Sequence, residues 1–395
     1  MNGVRVWRHF DYILLITTIL LVLYGVVMIY SATHTSPDPR LQGLWRRQAI
    51  LGAAGVGVIF LLAAFPRDYQ WLSDFWWLAY LIAAALLVLV LFFGQSEIGD
   101  VRSWLRLGSL NFQPAFPAMI LLTIAVATTL SQRRRRRGST ANPPLFGAPK
   151  TSMVETTAER PDFVSYLASA GMTLSLAALV FRQPDMATAT VLIAMWLAML
   201  FESDVPARYL ALTAVVGLGS LYPIWKLIEV LGFGYMHKRI LGFLNPGASD
   251  TAYQLRQAFI AIGSGGMWGQ GLAHGTQSQL RYLPVRHTDF IFAVAAEEMG
   301  FVGVMLLFAL YLVLFWRLLR VILIASDAFG RLLATGVLAM ILFQFFVNIG
   351  MNLGLLPVAG LPLPFISYGP AALLTTMAGI GLAENVVMRH KRLEF

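Results

Sequence analysis

The sequence contains no cysteine, which excludes disulfides, cysteine-ligated zinc and thiol catalysis. It is also poor in charge. Charged residues make up 12% of the 395 positions against 58% hydrophobic ones, and the mean hydropathy is +0.69. That composition excludes a soluble globular chain. No small-residue cleavage site follows the first apolar run, so it reads as a retained span and not as a signal peptide. No internal repeat suggests inverted transporter halves. The net charge of +9 does not point to nucleic acid, because the basic residues lie in links between apolar runs, where membrane orientation accounts for them.

What is present is a series of apolar runs near the ~20 residues needed to cross a bilayer. Ten spans are expected, at about 12–31, 48–65, 75–94, 114–131, 163–181, 186–201, 208–225, 290–316, 332–352 and 365–388. The expected fold is therefore one all-α polytopic membrane domain over residues 1–395. With the N-terminus inside, cytoplasmic links carry 17 of the 29 Lys and Arg. The run Arg133 to Arg137, directly after a span, is the strongest vote for that orientation. Both termini are then cytoplasmic, and the long connection at 232–289 is extracytoplasmic.

The links differ in character. Gln132 to Pro161 has no apolar period and reads as a mobile cytoplasmic link whose arginines set topology and attract anionic headgroups. Gly94 to Gln113 lies outside and holds Arg102-Ser-Trp104-Leu-Arg106, either an interfacial anchor or a grip for phosphate. Asp185, in Gln183-Pro-Asp185, suits a helix cap. Lys226 and Glu229 have the spacing of a helix along the outer surface.

The connection at 232–289 is by far the longest, and long ordered loops usually carry function. It holds Lys238, Arg239, Arg256, a glycine-dense turn from Gly263 to Gly275, then Arg281 and Arg286. Gly263-Ser-Gly-Gly-Met-Trp-Gly-Gln-Gly271 is not a Walker loop, since no Gly-Lys-Ser/Thr follows; glycines there permit tight turns and close backbone approach. Gln254, Gln257, Gln270, Gln277 and Gln279 offer amides suited to sugar hydroxyls. The loop ends at Asp289, beside His287 and Arg286 at the mouth of an apolar helix. Thr288 or Asp289 capping that helix and a functional carboxylate are both open readings. Asp289 feeds a helix whose Glu297 lies two turns down the same face, about 12 Å deeper. Glu297 and Glu298 inside an apolar span require that at least one face the bundle interior.

Taken together the motifs resemble the SEDS (shape, elongation, division, sporulation) membrane proteins. The resemblance rests on Ala261-Ile-Gly-Ser-Gly-Gly266, Gly275-Thr-Gln-Ser-Gln-Leu280, His287-Thr-Asp-Phe-Ile-Phe-Ala293 and Glu297-Glu298. Near the C-terminus Asn348, Gly354-Leu-Leu-Pro357-Val-Ala-Gly360 and Phe365-Ile-Ser-Tyr-Gly369 add to it. So do Tyr30-Ser31-Ala32, Arg47-Gln48, Trp104, Gln113-Pro114 and Gln183-Pro-Asp185. The Gly-Thr-Gln-Ser-Gln wording is closer to the elongation (RodA-like) branch than to the division branch. The resemblance implies a ten-span peptidoglycan glycosyltransferase polymerising lipid II at the outer membrane face, with a class B penicillin-binding protein as partner and the essential aspartate at Asp289. The sequence departs from the family pattern at Phe116 and Met119, where an acid and a lysine are usual. It departs also at Val285, Arg281, Arg106 and Pro370.

The expected reaction joins a sugar 4-hydroxyl to the anomeric carbon of a second lipid-linked disaccharide and expels polyprenyl diphosphate. Asp289 is cast as general base. Arg102, Lys238, Arg239 and Arg286 are candidates for stabilising the departing diphosphate, and Trp104, Gln277, His287, Glu297 and Ser367 are expected to contact substrate. A divalent cation, Mg or Mn, is a candidate helper that few outer acids are available to hold. Two rival readings stay open: a lipid II flippase with a polar path through Glu297, Glu298 and Glu384, and a weakened scaffold for the penicillin-binding protein, which Phe116 and Met119 encourage.

Overall fold

The computed structural model describes residues 7–65, 68–94, 103–107, 110–131, 162–230, 243, 250–283 and 285–389. Arg102, Lys238, Arg239 and the expected mobile link Gln132 to Pro161 lie outside the described residues.

Among the described residues the chain is a bundle of apolar helices, as a polytopic membrane protein requires. They are α1 (Tyr12–Thr33), α2 (Leu44–Ala64), α3 (Trp76–Phe93), α4 (Ala115–Ser131), α5 (Phe163–Phe181), α6 (Met186–Glu202) and α7 (Ala207–Val230). After them come an amphipathic helix, α8 (Asp250–Ser264), then α9 (Ile291–Ile324), α10 (Ala328–Asn352) and α11 (Pro370–Met388). Seven are long and apolar enough to cross a membrane; α4, α6 and the apolar part of α7 are shorter. One element departs from an all-helical chain. Leu105–Leu107 (β1) and Leu110–Phe112 (β2) pair antiparallel, with Arg106 opposite Asn111.

Four of the scarce acids sit where helices begin. Asp11, Asp162, Asp185 and Asp327 accept from backbone N–H groups of Leu14, Ser165, Thr188 and Gly330, satisfying donors that a helix start leaves open. Asp185 is thus a cap, and Gln113 donates to its other oxygen at 2.7 Å.

Helices α4, α10 and α11 form the interior and are buried nearly all round. Small residues let backbones meet: a Cβ on Gly25 would stand 2.7 Å from the Ile366 backbone, and one on Gly381 3.0 Å from that of Ile59. Close approach of this kind is how helices associate without a hydrophobic drive. At one end of the bundle Asp11 binds Arg317, whose Nε donates at 2.7 Å, and gives its own N–H to Glu384 at 3.0 Å. Three helices are joined there around a paired buried charge.

Helix α9 is not one straight helix. The Phe292 and Phe308 rings stack with centroids 6.0 Å apart, whereas sixteen residues of continuous helix would separate their Cα atoms by about 24 Å. The chain folds back at Gly300, where φ is 63° and ψ −165°. Asp289 and Glu297 both precede that reversal, so the rise of about 12 Å between them stands, but the short arm runs back along the spanning arm, and the expectation that Glu297 lies deeper in the span fails. It assumed an unbroken helix. The arm at 301–324 still measures about 36 Å, enough by itself to cross the ~30 Å hydrocarbon core.

A break exposes backbone groups, and the glycine-dense turn covers them. Gln270 and Gly271 donate to the carbonyls of Glu297 and Glu298, each at 3.0 Å, while Phe301 and Val302 donate to those of Gly266 and Met267 at 2.9 and 3.1 Å. The two chains touch so closely that a Cβ on Gly269 would lie 2.1 Å from the Glu298 carbonyl oxygen and one on Gly300 2.2 Å from the Gly269 nitrogen. Both glycines have positive φ. This is what the glycines in Gly263 to Gly271 are for: the turn replaces the missing helical partners at the reversal.

Candidate active site

Asp289 is half-buried where the chain enters the short arm of α9. The N-cap position is Phe290, with no side-chain cap bond, so neither Thr288 nor Asp289 occupies it. Instead, three successive carbonyls are held from outside the loop. The His287 oxygen accepts from the Tyr368 amide at 3.0 Å, and the Thr288 oxygen from the Ser367 hydroxyl at 2.6 Å. The Asp289 oxygen accepts from the side-chain amides of Asn348 and Asn352 at 3.1 and 3.0 Å. Ser367 in turn accepts from the Leu363 amide, and its carbonyl takes a bond from Gln48 of α2.

The preceding loop is held by the two buried glutamates, and Glu298 ties it to the C-terminal end of α1. Glu297 accepts from the backbone amides of Gln277 (2.7 Å) and Ser278 (3.0 Å) and from the Thr276 hydroxyl (3.3 Å). Glu298 accepts from Ser278 and Gln279, both at 3.1 Å, and from the Ser31 hydroxyl. Gly275 has no side chain because a Cβ would stand 2.6 Å from a Glu297 oxygen.

These bonds reassign several expected substrate contacts. Glu297 spends both oxygens on the loop and acts as its anchor. Arg286 is buried, with Nε donating to the Ala32 carbonyl at 2.6 Å and Nη1 to that of Ser278; its guanidinium is tied to the protein and is no free grip for phosphate. Burial and the nearby Arg281 pull its pKa down while Glu298 opposes them. Ser367 uses its hydroxyl internally. His287 has its pKa lowered to about 4, chiefly by burial and then by Arg286, so its imidazole is neutral at neutral pH. Gln277 keeps a buried amide oxygen with no hydrogen-bond partner among the described residues. Trp104 is half-buried at the start of the hairpin, whose second strand packs against α11.

The flippase path loses its continuity. Glu298 meets α1 at Ser31 and Glu384 meets it at Asp11, twenty residues apart and so about 30 Å along the helix. Phe116 and Met119 are buried in the interior face of α4, and Gln344 of α10 donates to the Met119 sulfur at 3.5 Å. The departures thus leave an apolar, close-packed contact and no unpaired charge. Among the described residues no group of three or more His, Cys, Asp or Glu side chains is placed to hold a metal ion.

The residue that sequence reasoning passed over is Asn352, and Gln48 and Ser278 entered only as parts of motifs. Asn348 entered only through the resemblance. Their signal was available as polar side chains at buried positions of apolar elements, where an unsatisfied amide is costly.

A family model described as "Cell cycle protein", covering FtsW, RodA and SpoVE, matches residues 11–392. The chain belongs to this family. It is 35% identical over 388 residues to "Peptidoglycan glycosyltransferase MrdB" of Escherichia coli, covering 98% of this chain and 95% of that one. It is 33% identical over 382 residues to "Stage V sporulation protein E" of Bacillus subtilis, covering 95% and 96%. Among solved structures it resembles the rod shape determining protein RodA of Thermus thermophilus with a TM-score of 0.67 at 30% identity, covering 98% of this chain and 99% of the other. It also resembles, with a TM-score of 0.75 at 31% identity and the same coverage, a chain from work on coordination of polymerization and crosslinking by a peptidoglycan synthase complex. The family's members thus match across nearly the whole chain.

Proposed function

We propose that the protein is a peptidoglycan glycosyltransferase that polymerises lipid II into glycan strands, in cell elongation and shape, with Asp289 as general base. The observation that carries this reading is the fixed backbone of Asp289 at the mouth of a broken helix, in a chain whose relatives bear that activity in their names. Asp289 takes the proton from the attacking sugar hydroxyl, the new bond forms at the anomeric carbon of the second disaccharide, and polyprenyl diphosphate departs. His287, neutral, orients and does not compete for that proton. Arg281, exposed beside the loop, joins Arg102, Lys238 and Arg239 as the positive charge that meets the diphosphate. The chain crosses the membrane ten times with both termini in the cytoplasm, which puts 232–289 at the outer face. A class B penicillin-binding protein is the partner, in keeping with the synthase complex among its structural relatives.

The test is polymerisation of lipid II by the purified protein, alone and with a class B penicillin-binding protein, read as glycan strands on a gel. Asp289→Asn should lower the rate by about 10²–10⁴-fold, the usual contribution of a general base. Unchanged strand synthesis by that variant sinks the reading. No strands from the wild type in either setting, beside an active homologue, favours the scaffold, for which Phe116 and Met119 in place of charged residues are the specific observation.

A further inference from the structure

Asn348 and Asn352 stand one turn apart on α10 and share a face. Both are fully buried at the end of an otherwise apolar helix, where an amide costs free energy unless it is bonded. Asn352 also donates to the Asn348 carbonyl at 2.8 Å and Asn348 to that of Leu361 at 2.7 Å, while the Asn352 amide oxygen has no hydrogen-bond partner among the described residues. What the two share is one acceptor, the Asp289 carbonyl, whose two lone pairs their donors fill. The first bond of helical type in this arm runs from the Val294 amide to the Phe290 oxygen. The orientation of the peptide after Asp289 is therefore set by α10.

The peptide before Asp289 is fixed in the same manner. Its oxygen belongs to Thr288 and accepts from Ser367, which is itself held by Leu363 and, through its carbonyl, by Gln48. The Cα of Asp289 thus lies between two peptide planes that are each tied to another element, and two fixed planes fix the direction of the Cα–Cβ bond.

We infer that Asn348, Asn352 and Ser367 are positioning residues for Asp289, acting through its backbone to aim its carboxylate at the attacking hydroxyl. This rests on Asp289 being the base. The effect of a lost tie is misalignment of a reacting group, which is felt in turnover and not in substrate affinity. A displacement near 1 Å costs on the order of 10²-fold in rate.

The experiment measures initial rates against lipid II concentration for the full chain with a class B penicillin-binding protein. Asn352→Asp keeps the shape and removes the donor, Ser367→Ala removes the hydroxyl, and Ser367→Thr retains it. Asn352→Asp and Ser367→Ala should each lower kcat about 10- to 100-fold, with KM changed less than about twofold. Ser367→Thr should recover most of the loss. Wild-type kcat in the first two variants, a loss carried by KM, or a threonine variant no better than alanine overturns the inference. Should Asn352→Asp fail to unfold cooperatively, the alanine and threonine variants at Ser367 decide alone. Asp289→Asn in the same assay separates the two claims. If it polymerises normally, the base assignment falls and the positioning role with it. If it is inactive while the positioning variants run at the wild-type rate, only the positioning role falls.

Discussion

At the scale of single residues, the chemistry around Asp289 is governed by which polar groups are already occupied. Arg286, Glu297 and Ser367 stood beside the expected base as substrate contacts, yet each makes hydrogen bonds to backbone within the protein. Replacing Glu297 by Gln turns an acceptor toward the Gln277 and Ser278 amides into a partial donor. That should cost about 1–3 kcal/mol, read as a lower unfolding temperature. His287 makes a pH prediction. Its ordinary value is 6.5 and burial lowers it to about 4. Above 6.5 it is neutral folded or unfolded and contributes nothing to the pH dependence. Between 6.5 and about 4 the unfolded chain takes the proton and the folded one does not, so stability declines as pH falls through that window. A His287→Gln variant should lose that part of the decline, its melting temperature falling less than the wild type's over the same range; parallel curves would refute it.

At the scale of elements, the decisive object is the reversal in α9. A spanning helix that stops and turns leaves backbone donors and acceptors with no water to meet them, and such breaks survive in membranes only where other protein satisfies them. Here the turn from Gly263 to Gly271 does so. Gly300→Ala adds a Cβ at positive φ, 2.2 Å from the Gly269 nitrogen. It should cost more than about 2 kcal/mol by strain and displacement of the turn. Loss of folded protein on size-exclusion, or a large drop in unfolding temperature, is the expected result. Gly217→Ala meets nothing within 4 Å and serves as the control.

At the scale of the whole molecule, the bundle couples two ends. One end ties α1, α9 and α11 through Asp11, Arg317 and Glu384; the other holds the loop on Glu297 and, through Glu298, on α1. Absence of cysteine makes the topology directly testable. A cysteine placed at Ser264 should react with a membrane-impermeant maleimide added to intact spheroplasts, and one at Ser139 only after the membrane is opened. The reverse pattern would invert the proposed orientation and put Asp289 on the wrong side for lipid II polymerisation.

Composition and period alone determined that the chain is a helical membrane protein and roughly where its helices lie. Those follow from local quantities, since a bilayer imposes a length and an apolarity on each segment separately. The sequence also singled out Asp289, because a carboxylate amid basic residues at a helix mouth is a local signal. Only the tertiary structure decided that α9 reverses at Gly300, that Glu297 anchors instead of lying deeper, and that Asn348, Asn352 and Ser367 hold Asp289. Each of these depends on which distant backbone groups fill one another's hydrogen bonds. The spacing of Asn348, Asn352 and Asp289 along the chain carries no trace of the single carbonyl where they meet.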